Sequence, residues 1–345
     1  MRRFLVLLLL SLCIGAVCVP SAQGRIVIET LHSKALQGNR IGDTVDRKVT
    51  IYLPPSYDGE SARQYPVVYL LHGFTSDPRE WLDGTYQGLN LSVALDQRAG
   101  QAEYIVVMPL ANNSFGGSFY VNSAAFGGWE DFVVKELVRF VDARFRTLRA
   151  RQSRALAGQS MGGFGALYLA GRHANTFGHV YAMSPCCLGF IGDLASGSQR
   201  WRTEPRGTLR AMSVAFAPDP LRTDTTAPAP MPFVAGSGGE MQEVTEVTRA
   251  WREYLPLYRL MRDPSEYRRL CSIGLEAGLQ DEIPSVTLGT AAFSRELKRA
   301  GIAHTLEEFT GGHTDRTRER FETAVLPFFA RVLATQERRG VCGQK

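Results

Sequence analysis

The chain has 345 residues, 44% of them hydrophobic and 21% charged, with 34 glycines and 17 prolines. That balance belongs to a globular protein of enzyme size and excludes collagen-like and wholly disordered classes, and no repeat of solenoid length is visible. The formal charge of +5 comes without any run of five basic residues, so nucleic acid is not an expected partner.

The first predicted element is an export signal. Met1-Arg2-Arg3 precedes an uncharged apolar run from Phe4 to Val19, which is broken by Pro20 and small or polar residues. The run is shorter than the roughly 20 residues of a membrane-spanning helix, and the pattern is that of a secretory signal peptide over residues 1–22. The expectation is a secreted or periplasmic protein with no stable membrane span after cleavage, and a single domain over residues 23–345. Losing Arg2 and Arg3 lowers the charge from +5 to +3. Cys13 and Cys18 leave as well, so Cys186, Cys187, Cys271 and Cys342 enter an oxidising compartment, where three pairings are open.

Strand and helix patterns then alternate. Val49 to Leu53, Pro66 to Leu71 and Tyr104 to Met108 are short apolar runs of the kind found in sheets covered on both faces. Val134, Leu137, Val138, Val141 and Phe145 recur at helical spacing. Arg154 to Ala157 predicts a strand leading into Gly158-Gln159-Ser160-Met161-Gly162, followed by a helix from Phe164 to Ala170. His179 to Met183, Ser272 to Glu276 and His304 to Phe309 are further strands. Thr290 to Ala300 predicts a helix stopped by Gly301, and a terminal helix runs from about Thr317 to Leu333, where Pro327 should kink or break it. This order indicates an α/β fold with a mainly parallel central sheet and helices on both faces. Residues 188–270 depart from it, being rich in proline and glycine before a helical segment around Glu243 to Leu260, and predict an irregular cap-like insertion over the sheet edge.

Gly158 to Gly162 fits G-x-S-x-G, in which a strained serine sits on a sharp strand-to-helix turn and the glycines remove side chains that would collide. The serine oxygen is thereby raised at a helix N-terminus, where negative charge is favoured. Ser160 is the candidate nucleophile. A serine hydroxyl needs a base and a carboxylate that orients the base. Of the six histidines, His313 alone lies in a glycine-flanked loop directly after a core strand. The acid belongs between Ser160 and His313 in this topology, where Asp281 follows a strand by a short loop, with Glu276 the main competitor and Glu282 adjacent. The developing oxyanion requires two backbone donors, assigned to Met161 and to Phe74 in the loop after His72-Gly73.

Taken with IYLPPSY (Ile51 to Tyr57), VVYLLHG (Val67 to Gly73), Trp81, FVVKELVRFVDARFR (Phe132 to Arg146), AGQSMGGFGAL (Ala157 to Leu167) and FTGGH (Phe309 to His313), the sequence resembles the esterase D family of α/β-hydrolases. That family holds S-formylglutathione hydrolases, feruloyl and acetylxylan esterases, and the antigen 85 mycolyltransferases. The resemblance implies the α/β-hydrolase fold, places nucleophile, base and donors on the same residues, and matches the family's G-x-x-D acid loop with Gly278 to Asp281. An exported chain departs from the cytosolic formylglutathione hydrolases, and within the cap only AFAPDP (Ala215 to Pro220) resembles the family. Trp81, Tyr86, Phe115, Phe119, Tyr120 and Trp129 belong either to an acyl or aryl pocket or to the core.

The expected function is that of an exported serine carboxylesterase on a small-molecule, polysaccharide or lipid ester, with no metal or organic cofactor implied. An acyltransferase of antigen 85 type would use the same triad. A binding protein that keeps the fold without turnover is the alternative from another class.

Overall fold

The computed structural model describes residues 23–202, 207–219, 230–333 and 342. The expected signal segment 1–22 lies outside them, as do residues 203–206 and 220–229 of the cap. The core is an eight-stranded sheet: β1 (Arg25–His32), β2 (Asp46–Leu53), β3 (Val67–Leu71), β4 (Ile105–Pro109), β5 (Arg154–Gln159), β6 (His179–Met183), β7 (Ser272–Gly278) and β8 (Thr305–Phe309). Its spatial order is β1-β2-β4-β3-β5-β6-β7-β8. β2 is antiparallel to β1 and β4, and every other pair is parallel. Seven strands coincide with the expected runs to within a few residues. The edge strand β1 was not anticipated, because its partly solvated sequence lacks a continuous apolar run and Ile28 is 65% exposed.

The strands' period of two divides the apolar side chains between two layers. Val67, Tyr69 and Leu71 enter one cluster, while Val68 and Leu70 enter the other. Helical segments fill both. The first layer holds the run 129–144 (α1), Met161–Arg172 (α2), Gly207–Phe216 (α3), Thr245–Arg252 (α4), Pro256–Arg262 (α5) and Pro284–Arg299 (α6); the second holds the run 317–332 (α7). This is the α/β-hydrolase fold. In α7 the expected break at Pro327 is absent: a π-helical turn over Phe321–Val325 holds residue 323, whose carbonyl the missing proline N–H would have bonded.

The cap corrects an expectation. Residues 188–270 carry the expected helical segment as α4 and α5, and besides it α3 and a small hairpin of Phe233–Ala235 with Met241–Glu243 where an irregular stretch was foreseen. They close on an aromatic nucleus. Trp251 is fully buried, with Phe216, Trp201 and Phe190 ring centroids 5.4, 5.9 and 6.0 Å away. Phe216 also stacks on Phe164 of α2 at 5.7 Å, which joins the cap to the sheet's first layer. These partners are distant in sequence, so no local periodicity reveals them. Of the possible pairings, Cys271 is joined to Cys342, while Cys186 and Cys187 are free and buried.

Candidate active site

β5 delivers Ser160 to the sheet's C-terminal edge. The residue has φ 57° and ψ −117°, a strained combination for a residue with a β-carbon, and α2 begins at Met161. The packing explains the glycines: a β-carbon at Gly158 would lie 2.3 Å from the Gly162 carbonyl carbon, and one at Gly162 would lie 2.0 Å from the Leu71 oxygen. Neither position can carry a side chain without moving backbone. Ser160 is further fixed by donation from its N–H to Met183 O at 3.0 Å, and its carbonyl accepts from Phe164 and Cys186.

The acid and base loops are pinned to each other. Leu279 N–H donates to Phe309 O and Gln280 N–H to Gly311 O, which brings the turn after β7 against the turn after β8. His313 Nδ1 donates to Asp281 Oδ2 at 2.7 Å, and the other carboxylate oxygen accepts from Ile283 N–H at 2.9 Å. The Asp281 side chain is buried and that of His313 is 10% exposed. With Nδ1 committed as donor, Nε2 is left as the acceptor that a base requires. Ser160 and His313 share the wall of one cavity, about 350 Å³ in volume. Among the described residues no hydrogen bond joins Ser160 Oγ to His313, a contact that in free enzymes often forms only around substrate.

Glu276, the competing acid, is engaged elsewhere. It accepts from Tyr181 Oη at 2.8 Å and from Arg320 Nη2 at 3.1 Å, and burial pushes its carboxyl above the ordinary value. Glu282 accepts from the backbone N–H of His313 at 3.2 Å and so holds the base loop from outside.

The donor loop rests on His72. This fully buried ring donates from Nδ1 to Gly73 O at 2.8 Å and accepts at Nε2 from Ala111 N–H at 2.8 Å, a pattern that only the neutral ring satisfies. Burial pushes its pKa down to about 4. Tyr120 Oη donates to the His72 carbonyl, and the Thr75 N–H reaches Gly116 O. Among the described residues neither Phe74 N–H nor Met161 N–H donates a hydrogen bond, and Phe74 lines the cavity.

The remaining histidines are occupied away from the cavity. His32 pairs with Asp46, His173 with Glu130, His179 with Ser272 and Gln152 O, and His304 with Ser294 and Ile302 O. Of the six aromatic candidates only Tyr86 lines the cavity. Trp81, Phe119, Tyr120 and Trp129 are fully buried core, and Phe115 packs on Phe126. The cavity wall is completed by Ser76 and Glu80 on the donor-loop side and by Cys186, Cys187, Arg200, Thr208, Ile283 and Ser285 on the other. Sequence reasoning missed these residues. None belongs to a motif, and each arrives through tertiary packing. Among the described residues no three His, Cys, Asp or Glu side chains converge as metal ligands, and no helix is long and apolar enough to cross a membrane.

A family model described as "Putative esterase" matches residues 43–326. The chain belongs to this esterase family. Esterase Rv1288 of Mycobacterium tuberculosis is 36% identical over 140 residues, which is 39% of this chain and 28% of that protein. This chain thus spans little more than a quarter of that relative's length. Solved structures share the fold at low identity. A ferulic acid esterase matches with a TM-score of 0.61 and 22% identity over 90% of this chain and 98% of the other. S-formylglutathione hydrolase of Agrobacterium tumefaciens matches at 0.62 and 17% over 91% and 97%. FphF, a fluorophosphonate-binding serine hydrolase of Staphylococcus aureus, matches at 0.61 and 18% over 90% and 99%.

Proposed function

We propose that this esterase-family chain is an exported serine carboxylesterase that works through an acyl-enzyme on Ser160. The observation that carries the reading is the 2.7 Å His313–Asp281 hydrogen bond at the wall of the cavity that also holds the strained Ser160. His313 Nε2 takes the Ser160 proton as Oγ attacks the ester carbonyl. Asp281 keeps the ring in that tautomer and stabilises the imidazolium that forms. The carbonyl oxygen becomes an oxyanion that accepts from Phe74 and Met161 N–H, a stabilisation worth about 3 kcal/mol per donor. His313 then protonates the departing alcohol, and water repeats the sequence in reverse to free the acid.

Export has separate support. A Cys271–Cys342 disulfide suits an oxidising compartment, in keeping with the apolar run after Arg3. A cavity of about 350 Å³ suits a compact acyl or aryl ester rather than a long buried chain.

One observation favours the acyltransferase as second reading. Ser76 Oγ hydrogen-bonds Tyr86 Oη at 3.0 Å and donates to Glu80, which gives the cavity a hydroxyl-and-carboxylate wall suited to a sugar or polyol acceptor. Product ratios with and without added trehalose or glycerol separate the two. A fluorophosphonate probe tests the common core: wild type should be labelled stoichiometrically and Ser160→Ala should not. Equal labelling of both would remove Ser160 from the mechanism.

A further inference from the structure

Two cysteines beside the nucleophile take no part in the chemistry above. Cys186 and Cys187 are adjacent in the chain, 5% and 4% exposed, and both are free thiols. Both line the cavity that holds Ser160 and His313, so a small reagent that reaches the serine also reaches them. The Cys186 N–H donates to the Ser160 carbonyl at 3.2 Å, which places the pair one hydrogen bond from the nucleophile's backbone. Cys187 has φ 61°, a left-handed value that a side chain disfavours and that the surrounding structure must impose.

We propose that Cys186 and Cys187 are a reversible thiol–disulfide site on the cavity wall, and that bridging them suppresses acyl transfer at Ser160. The effect on rate rests on the Ser160 reading; the bond itself does not.

The oxidant is a small-molecule disulfide. The Cys186 thiol loses its proton to solvent and its sulfur attacks that disulfide, whose S–S bond breaks; one thiolate departs with the electron pair and takes up a proton, and a mixed disulfide forms on Cys186. The Cys187 thiol then loses its proton to solvent and its sulfur attacks the Cys186 sulfur, which closes the protein S–S bond and expels the second thiolate. Two protein thiols are oxidised and one disulfide is reduced to two thiols. Burial beside Cys186 pushes the Cys187 thiol well above its ordinary value, which disfavours Cys187 as the opening nucleophile.

Geometry separates this pair from the other. The Cys271 and Cys342 α-carbons are 4.7 Å apart, inside the usual range for a disulfide. Chain neighbours are held at about 3.8 Å, below that range, so a bridge between them is strained, readily reduced and suited to regulation. Closing it draws the sulfurs to about 2.05 Å, and the turn whose Cys186 N–H bonds the Ser160 carbonyl is the backbone that has to accommodate it. A misplacement of about 1 Å at a catalytic centre can cost about 100-fold in rate, and a fraction of that about tenfold.

The test treats the purified full chain with oxidised glutathione and then with dithiothreitol, following thiol state by peptide mapping and site function by fluorophosphonate labelling and nitrophenyl-ester turnover. The expected result is a Cys186–Cys187 bridge, with labelling and turnover slowed about tenfold and restored by the reductant while Cys271–Cys342 stays intact. Cys186→Ser should keep its own untreated rate in the oxidant, whereas Cys187→Ser should stop at a glutathione adduct on Cys186 that the reductant removes. Persisting free thiols, a stable glutathione adduct, or a bridge that leaves both rates unchanged would overturn the proposal. If the reduced chain neither turns over esters nor takes the probe, the Ser160 reading fails and the rate effect falls with it, while the peptide map still decides whether the bond forms.

Discussion

The C-terminal edge of the sheet and the cap over it are built on different principles. At the edge, each candidate catalytic residue sits one short turn beyond a strand: Ser160 after β5, Asp281 after β7 and His313 after β8. Local sequence therefore sets where it stands. In the cap, position follows from rings that meet across long separations, Trp201 with Trp251 and Phe216 with Tyr254, and the cavity-facing Arg200 and Thr208 are carried along. On the proposed reading the edge supplies the reaction, while the cap supplies one wall of the cavity. Chemistry can accordingly be read from motifs, while substrate choice cannot.

The sharpest way to break the comparison is at the edge itself. Ser160→Ala should lower ester turnover by about 10⁴-fold or more, and Asp281→Asn by about 10³- to 10⁴-fold. Glu276→Gln should cost less than about tenfold, since Glu276 bonds Tyr181 and Arg320 instead of His313. Equal losses in Asp281→Asn and Glu276→Gln, measured as kcat/KM, would reverse the assignment of the acid.

Gly162→Ala probes the same edge through packing. The added carbon would stand 2.0 Å from the Leu71 oxygen, so a destabilisation of about 5 kcal/mol or more is expected in urea unfolding. Trp251→Ala is the counterpart in the cap. Removing this fully buried ring should cost about 3–5 kcal/mol, and in the folded fraction KM should rise more than kcat falls because the wall rather than the triad is loosened. A collapse of kcat with KM unchanged would tie the cap to the chemistry itself.

Acid should weaken the sheet and the helices packed on it. Burial holds His72 and His179 at about 4, against 6.5 in the unfolded chain. Between those values the unfolded chain binds more protons, so stability is full above about pH 6.5 and falls as pH drops to 4, by on the order of 3 kcal/mol per histidine. Glu130 acts in the same direction at lower pH. Burial alone would raise its carboxyl, but hydrogen bonds from His173, Arg172 and Tyr168 hold it at about 2, so its contribution fades only as pH falls from about 4.5 toward 2. Thermal melts across this range should show the loss, and His179→Gln should flatten it. The smallest effect is expected for Phe74→Ala, less than about threefold in kcat, because the donor is backbone.

The elbow was legible because it depends on its own residues: two glycines that cannot carry a side chain and a serine with nowhere else to point its strain. His313 was legible from its glycine loop. Glu276 stayed open as an alternative acid because a sequence does not say that Tyr181 and Arg320 will occupy it. β1 went unseen for want of an apolar run, and α3 of the cap because its apolar face meets aromatic partners far along the chain. Cys186 and Cys187 showed only as a count until the fold set them on the cavity wall.

The most direct test of the central claim is rapid mixing with a nitrophenyl ester, with the acyl-enzyme trapped in acid and mapped by mass spectrometry. The account predicts a burst of nitrophenol equal to one per chain and a single acyl group on Ser160. Turnover with no acyl group on Ser160, or an acyl group on a different residue, would contradict it.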